Sequence, residues 1–151
     1  MNVLLVCLGN ICRSPLAEGI LNHKAKLMDL DLLVDSAGTS DWHIGEPPDA
    51  RGINVALKNG IDISNLKARQ FTLQDFDKFD LILAMDKDNY SHLLNLARNS
   101  SDIKKIKLFM NFAYPDINMD VPDPYYDNRF EEVFELLDNA SNKILENITK
   151  L

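Results

Sequence analysis

Cysteine is scarce in this sequence: 151 residues carry two, Cys7 and Cys12, and both fall in one short segment. Two such cysteines make no disulfide framework, and no C-x2-C pair or histidine cluster offers the spacing of a zinc site. Histidine is nearly as sparse. His23, His43 and His92 are scattered, and each reads as a surface or capping residue. Positive charge is short as well, with 16 Lys and Arg against 23 Asp and Glu, a net charge of −7. That balance argues against nucleic acid as the partner and repels anions at long range, so any anion site must be locally positive. No apolar run approaches the roughly 20 residues that a membrane span needs. The run Val3–Val6 is too short for a secretory signal and has no basic segment before it. With free thiols as the only cysteine chemistry, a reducing cytoplasm is the expected setting. Internal repeats, low-complexity segments and linkers are also missing, so residues 1–151 are expected to form a single domain.

What is present concentrates in the first fourteen residues. Val3-Leu4-Leu5-Val6 reads as a short buried strand. Cys7-Leu8-Gly9-Asn10-Ile11-Cys12-Arg13-Ser14 follows, and then Pro15 opens a helical pattern. A strand, a tight loop and a helix start gather backbone N–H groups of Leu8 to Arg13 beside the positive end of a helix dipole, which makes an anion site. Such a setting favours the thiolate form of a cysteine at its entrance. Arg13 adds a planar fork able to hold two oxygens of one oxyanion. Gly9 permits the sharp turn, Asn10 tolerates left-handed backbone angles, and Ser14-Pro15 is expected at the N-cap and first helical position.

The rest alternates strand and helix, which predicts a parallel α/β sheet with helices on both faces. The first helix is expected from Ser14 to about Met28, with Leu16, Ile20, Leu21, Ala25 and Leu27-Met28 as its apolar stripe. Leu32–Val34 is the second strand, ending in Asp35-Ser36-Ala37-Gly38. A polar loop holding the sole tryptophan, Trp42, leads to a helix from Pro47-Pro48-Asp49 to Asn59, with Gly60 as its cap. Thr72 is expected to cap a short helix through Phe76. Phe79–Met85 reads as a central strand, Asp86–Ala97 as a helix, and Ile106–Phe109 as the fourth strand. Asn111–Asn128 is a long irregular stretch, and such stretches are usually functional or disordered. Arg129–Leu151 is the last helix, buried along Phe130, Val133, Phe134, Leu137, Ile144, Leu145 and Ile148. In an open sheet ligands lie beyond the carboxyl ends of the strands, where Cys7, Ser36 and Met85-Asp86 fall. A carboxylic acid from the Asp116–Asp127 stretch could reach over that crevice as a proton donor, and Asp116, Asp120, Asp123 and Asp127 are all candidates on spacing alone.

Val6 to Glu18, Val-Cys-Leu-Gly-Asn-Ile-Cys-Arg-Ser-Pro-Leu-Ala-Glu, resembles the signature of the low-molecular-weight protein tyrosine phosphatases. The likeness extends to Asp35-Ser36-Ala37-Gly38, Lys67-Ala68-Arg69-Gln70, Met85-Asp86 and Asp123-Pro124-Tyr125-Tyr126. It implies a flavodoxin-like four-stranded parallel sheet in the order 2-1-3-4. It also implies a metal-free, cofactor-free hydrolysis of phosphotyrosine proteins or aryl phosphates that releases inorganic phosphate. In that scheme Cys7 becomes a phosphocysteine. Arg13 and the amides of Leu8, Gly9, Asn10, Ile11 and Cys12 hold the phosphoryl oxygens, and Ser14 bonds the sulfur. Asp123 is selected among the four candidates as general acid and base. Trp42, Tyr125 and Tyr126 wall the phenyl ring, and Asn10 braces the loop through Ser36.

Two further expectations concern this chain in particular. Cys12 could capture an oxidised Cys7 as a disulfide. Leu66 stands where many relatives have a histidine that braces the loop, so the support around Asn10 is expected to be thinner or different. Relatives acting on phosphoarginine carry threonine at the position of Ile11, which favours phosphotyrosine here. An arsenate reductase on the same scaffold would need cysteines beyond Cys12. A catalytically idle binding module would be expected to lack Cys7 or Asp123, and an electron carrier has no use for Cys7 and Arg13 together.

Overall fold

The computed structural model describes residues 1–151. Four parallel strands, β1 (Asn2–Cys7), β2 (Leu33–Gly38), β3 (Leu81–Ala84) and β4 (Ile106–Leu108), lie in the order β2-β1-β3-β4. The order reverses between β1 and its neighbours, so the crevice opens at the carboxyl end of β1. Pairing runs from Asn2↔Leu33 to Cys7↔Gly38 on one side of β1, and from Val3↔Leu81 to Val6↔Ala84 on the other. Alternation along β1 divides the interior. Val3, Leu5 and Cys7 face the larger core and Leu4 and Val6 the smaller one, all five essentially without solvent contact.

The larger core is covered by α1 (Arg13–Leu27), α2 (Ala50–Lys58), α6 (Phe109–Ala113) and α7 (Phe130–Thr149). The smaller one lies beneath α3 (Asp75–Lys78) and α4 (Lys87–Leu96), with Phe71 and Phe76 stacked edge to face. A short α5 (Ser100–Lys105) precedes β4. Along α7 the expected apolar face is buried except for the half-exposed Ile148, and Ala140 and Ser141 join it. No helix is long and apolar enough to cross a membrane.

Several expectations shift. Helix α1 begins at Arg13, with Cys12 as N-cap and no side-chain cap, so Ser14 lies inside the first turn. Leu27 and Met28 are exposed, and the buried stripe of α1 ends at Ala25. The short helix after Gln70 begins at Asp75. Thr72 does not cap it; instead the Asp75 carboxylate accepts from the Thr72 backbone N–H at 2.8 Å. Residues 109–113 form α6, whereas a strand end and then irregular chain were expected there. Asp49 caps α2 through the Arg51 N–H, and Asp86 caps α4 through the Asn89 N–H.

Candidate active site

The loop after β1 is shaped by contacts at its base. Asn10 has φ 57°, which asparagine tolerates. Gly38, at the end of β2, runs directly beneath: a Cβ there would stand 2.8 Å from the Leu8 carbonyl oxygen and 3.2 Å from the Asn10 nitrogen. Only glycine permits that approach. Backbone carbonyls of the loop are tied down by Ser40 and Asp49 N–H groups, which donate to Leu8 and Ile11. The N–H groups of Leu8, Gly9, Ile11 and Cys12 donate to no acceptor in the protein. The residues that carry these four amides line the same hollow as Cys7, whose sulfur accepts from the Asn10 N–H at 3.3 Å and lies 3.0 Å from the Ser14 hydroxyl.

Above the sulfur is a hollow of about 140 Å³, lined by the loop, Arg13, Trp42, His43, Asp123, Tyr125 and Tyr126. Arg13 is 3 % exposed. One of its nitrogens donates to Asp86 at 2.6 Å and to the Val121 carbonyl at 3.0 Å; the other lies 3.7 Å from Asp123. Burial opposes its charge, but the Cys7 sulfur, Asp86 and Asp123 outweigh burial and push its pKa above the usual guanidinium value. Burial, reinforced by the neighbouring Cys7 and Asp49, pushes the Cys12 thiol far up, so Cys12 is held protonated. Both cysteines are free and buried.

Of the four candidate acids only Asp123 lines the hollow. Asp120 binds the Lys87 backbone and Asp127 pairs with Arg129. Asp116 sits in a left-handed turn. Asp123 accepts the Tyr125 N–H at 3.0 Å, and Arg51 supports the same segment by donating to the Tyr125 carbonyl at 3.1 Å and lying over its ring. Tyr125 and Tyr126 meet edge to face, with Tyr126 90 % exposed at the rim and Trp42 68 % exposed opposite. Asn10 and Ser14, assigned to the substrate side from sequence, lie under the loop and do not line the hollow.

The Asn10 amide is fully engaged. It accepts from the Arg69 N–H at 3.0 Å and donates to the Ser14 and Ser36 hydroxyls at 2.8 and 2.9 Å. Leu66 packs against the core, and this bracing does not involve it. Arg69 is itself fixed between Asp35 and Asp75. Sequence reasoning missed His43 and Glu18, and placed Asp86 at the crevice without giving it a role. Asp86 had a signal, since a cap at the end of a central strand faces the crevice. His43, which pairs with Glu46 at 2.7 Å, had none.

Glu18 is 7 % exposed and reached by the Ser36 hydroxyl at 2.6 Å. Burial pushes its carboxyl up from the usual 4.5 to about 7, against the opposing Ser36 hydrogen bond. A carboxyl raised on folding gives its full contribution to stability below about 4.5 and loses it as pH rises through about 7, an upper bound of about 3 kcal/mol. Glu18→Gln, which cannot ionise, is therefore expected to melt above the wild type at pH 8 and to converge with it below pH 4.5. Melting curves at the two pH values check this; a constant difference would contradict it.

No group of three or more His, Cys, Asp or Glu side chains is gathered as a metal site. A family model described as low molecular weight phosphotyrosine protein phosphatase matches residues 2–151. The low molecular weight protein-tyrosine-phosphatase YfkJ of Bacillus subtilis is 41% identical over 99% of this chain and 97% of its own. Its crystal structure superposes with a TM-score of 0.91, covering 99% of this chain and 95% of that one. A protein tyrosine phosphatase from Entamoeba histolytica, crystallised with Hepes in its active site, gives a TM-score of 0.92 at 34% identity, covering 99% and 97%. A Drosophila arginine phosphatase gives 0.90 at 34% identity, covering 98% of each chain. Matched over nearly its whole length, the chain belongs to the low molecular weight phosphotyrosine protein phosphatase family, whose members are hydrolases.

Proposed function

We propose that this protein hydrolyses phosphotyrosine in proteins, and small aryl phosphates, through a phosphocysteine on Cys7. The observation that carries the reading is one hollow lined by Cys7, Arg13 and four loop residues whose amides have no partner in the protein, over a sulfur that already accepts the Asn10 N–H. That set of free donors suits a phosphoryl group carried on the sulfur.

In the first step the Cys7 thiolate attacks phosphorus. The S–P bond forms as the bond from phosphorus to the tyrosyl oxygen breaks, and that oxygen takes the proton of Asp123. In the second, the Asp123 carboxylate takes a proton from water, which attacks phosphorus. The S–P bond breaks, inorganic phosphate leaves, and the thiolate returns. Arg13 and the amides stabilise the charge on the equatorial oxygens, the task that metal ions perform in other phosphoryl-transfer enzymes, so the scheme needs no metal or cofactor. Ser14 stabilises the leaving thiolate.

Trp42, Tyr125 and Tyr126, with Ile11 on the floor, give an aromatic slot for a phenyl ring, and such contacts add roughly 0.5–1.5 kcal/mol each. The shared fold does not separate tyrosine from arginine phosphatases; Ile11 and the slot are what favour the aryl substrate. An arsenate reductase is the weaker reading, because no cysteine follows Cys12 to carry electrons away. We place the activity in the cytoplasm, in one domain, on the sequence grounds above.

The acid role is tested by leaving groups. Asp123→Asn is expected to lower kcat by about 10²–10⁴-fold for phenyl phosphate, with a much smaller deficit for esters of strongly acidic phenols. The wild type should show a bell-shaped pH profile that the variant loses on its alkaline limb. An equal deficit for all leaving groups would remove Asp123 from this role.

Cys7 and Cys12 form the proposed redox pair. A Cys7 sulfenic acid condenses with the Cys12 thiol, forming the S–S bond and releasing water. Peroxide inactivation should then be reversed by a dithiol in the wild type and largely irreversible in Cys12→Ser; equal reversibility would rule the pair out.

A further inference from the structure

Glu18 is a buried acid that the chemistry above does not use. It lies one turn beyond Ser14 on α1, and the only hydrogen bond of its side chain is with the Ser36 hydroxyl. The charged groups acting on it are Asp35, on β2, and Arg69, whose guanidinium is committed to Asp35 and Asp75. A buried carboxyl without an ion pair is costly to keep.

Its neighbours form a connected chain of hydrogen bonds. The Arg69 N–H donates to Asn10 Oδ1, which sets the orientation of that amide. The two N–H bonds of Asn10 Nδ2 then point to the oxygens of Ser14 and Ser36. Each hydroxyl has one proton of its own to give. That of Ser14 is left for the Cys7 sulfur, and that of Ser36 for Glu18, at a length typical of a hydroxyl donating to a carboxylate. With Cys7 as thiolate and Glu18 ionised, the pattern has one self-consistent solution, and Glu18 is the acceptor that closes it.

We infer that Glu18 is a positioning residue for the Cys7 nucleophile: by accepting the Ser36 proton it holds Asn10 in place, and through Asn10 it keeps the Ser14 hydroxyl donating to the sulfur. The inference rests on the reading of Cys7 as nucleophile. With Glu18 truncated, the Ser36 proton has no acceptor on that side, Ser36 turns, and one Asn10 N–H is released. Ser14 is then free to turn its proton away from the sulfur. The other groups facing Cys7, namely Arg13, Cys12 and Asp123, remain as they are.

The test is the pH dependence of inactivation by iodoacetamide, which reports the Cys7 thiolate, together with kcat and KM for p-nitrophenyl phosphate. Glu18→Gln keeps an acceptor oxygen and loses the charge; Glu18→Ala loses both. Loss of a hydrogen bond to the thiolate in Glu18→Ala should raise the inactivation midpoint by about one pH unit. Its kcat should fall about tenfold with KM within about twofold, while Glu18→Gln shows no rise. Removing negative charge alone would lower the midpoint in both variants, and that outcome would overturn the inference. So would a folded Glu18→Ala protein with unchanged midpoint and kcat. If Glu18→Ala fails to fold, Ser36→Ala interrupts the same chain one link later and should raise the midpoint equally; an unchanged midpoint there would also overturn it. Inactivity of Cys7→Ser alongside a null result at Glu18 would sink only this inference, whereas turnover in Cys7→Ser would sink the reading beneath it.

Discussion

Cys7→Ser is expected to lose on the order of 10⁴–10⁶-fold in kcat toward p-nitrophenyl phosphate, with or without chelator, while folding normally and still binding phosphate. The fold should survive because the substitution is close to isosteric. A hydroxyl at this 2 % exposed position inherits the Asn10 N–H and the Ser14 hydroxyl as partners. The chemistry should not survive. A serine hydroxyl is a far weaker nucleophile than a sulfur, and no histidine is hydrogen-bonded at this position to act as its base. Phosphate affinity, set by the loop amides and the Arg13 guanidinium, should stay within a few-fold of the wild type, which separates loss of the nucleophile from loss of the cradle. Retained turnover would mean that another group attacks phosphorus.

Arg13→Lys comes next in size, with a loss of about 10³-fold or more in kcat expected despite the conserved charge. The guanidinium serves two masters from a 3 % exposed position. One nitrogen is held by Asp86 at 2.6 Å and by the Val121 carbonyl, and the rest of the fork is turned toward the hollow. A lysine ammonium is a point charge. It can satisfy Asp86 or the phosphoryl oxygens, but it cannot span both. Vanadate affinity should fall in parallel with kcat, since vanadate takes the geometry of the transition state. Asp86→Asn, which leaves the arginine but weakens its tether, should cost much less. Equal rates for Arg13→Lys and the wild type would mean that charge alone suffices and that the planar fork is incidental.

The parallel α/β pattern and the loop were legible in the residues themselves because each leaves a local mark, whereas the strand order and the choice of Asp123 among four aspartates came only with the family resemblance. Leu81–Met85 is continuously apolar, as a strand covered on both faces must be, and Cys7 to Arg13 packs its chemistry into consecutive residues. The start of α1 was misread for a physical reason. A serine before a proline ordinarily caps a helix through its hydroxyl, but here that hydroxyl is drawn to the sulfur and to Asn10. Glu18 was passed over because glutamate is seldom buried, and what buries it, Ser36 and its surroundings on β2, is distant in sequence. The support around Asn10, expected to be thinner or different with Leu66 in place, is built without that side chain: the Arg69 backbone supplies the Asn10 amide with its donor, and a backbone contact leaves no trace in residue identity. Helix α6 was too short to show a periodicity of its own.

The covalent intermediate can be sought directly by acid-quenching the enzyme during turnover of an aryl phosphate and weighing the peptide that contains Cys7. The account predicts that this peptide gains the mass of one phosphoryl group, that the adduct accumulates when Asp123→Asn slows attack by water on a substrate with a good leaving group, and that Cys7→Ser never acquires it. Sustained turnover with Cys7 unmodified at every quench time, or the phosphoryl group found on another residue, would contradict it.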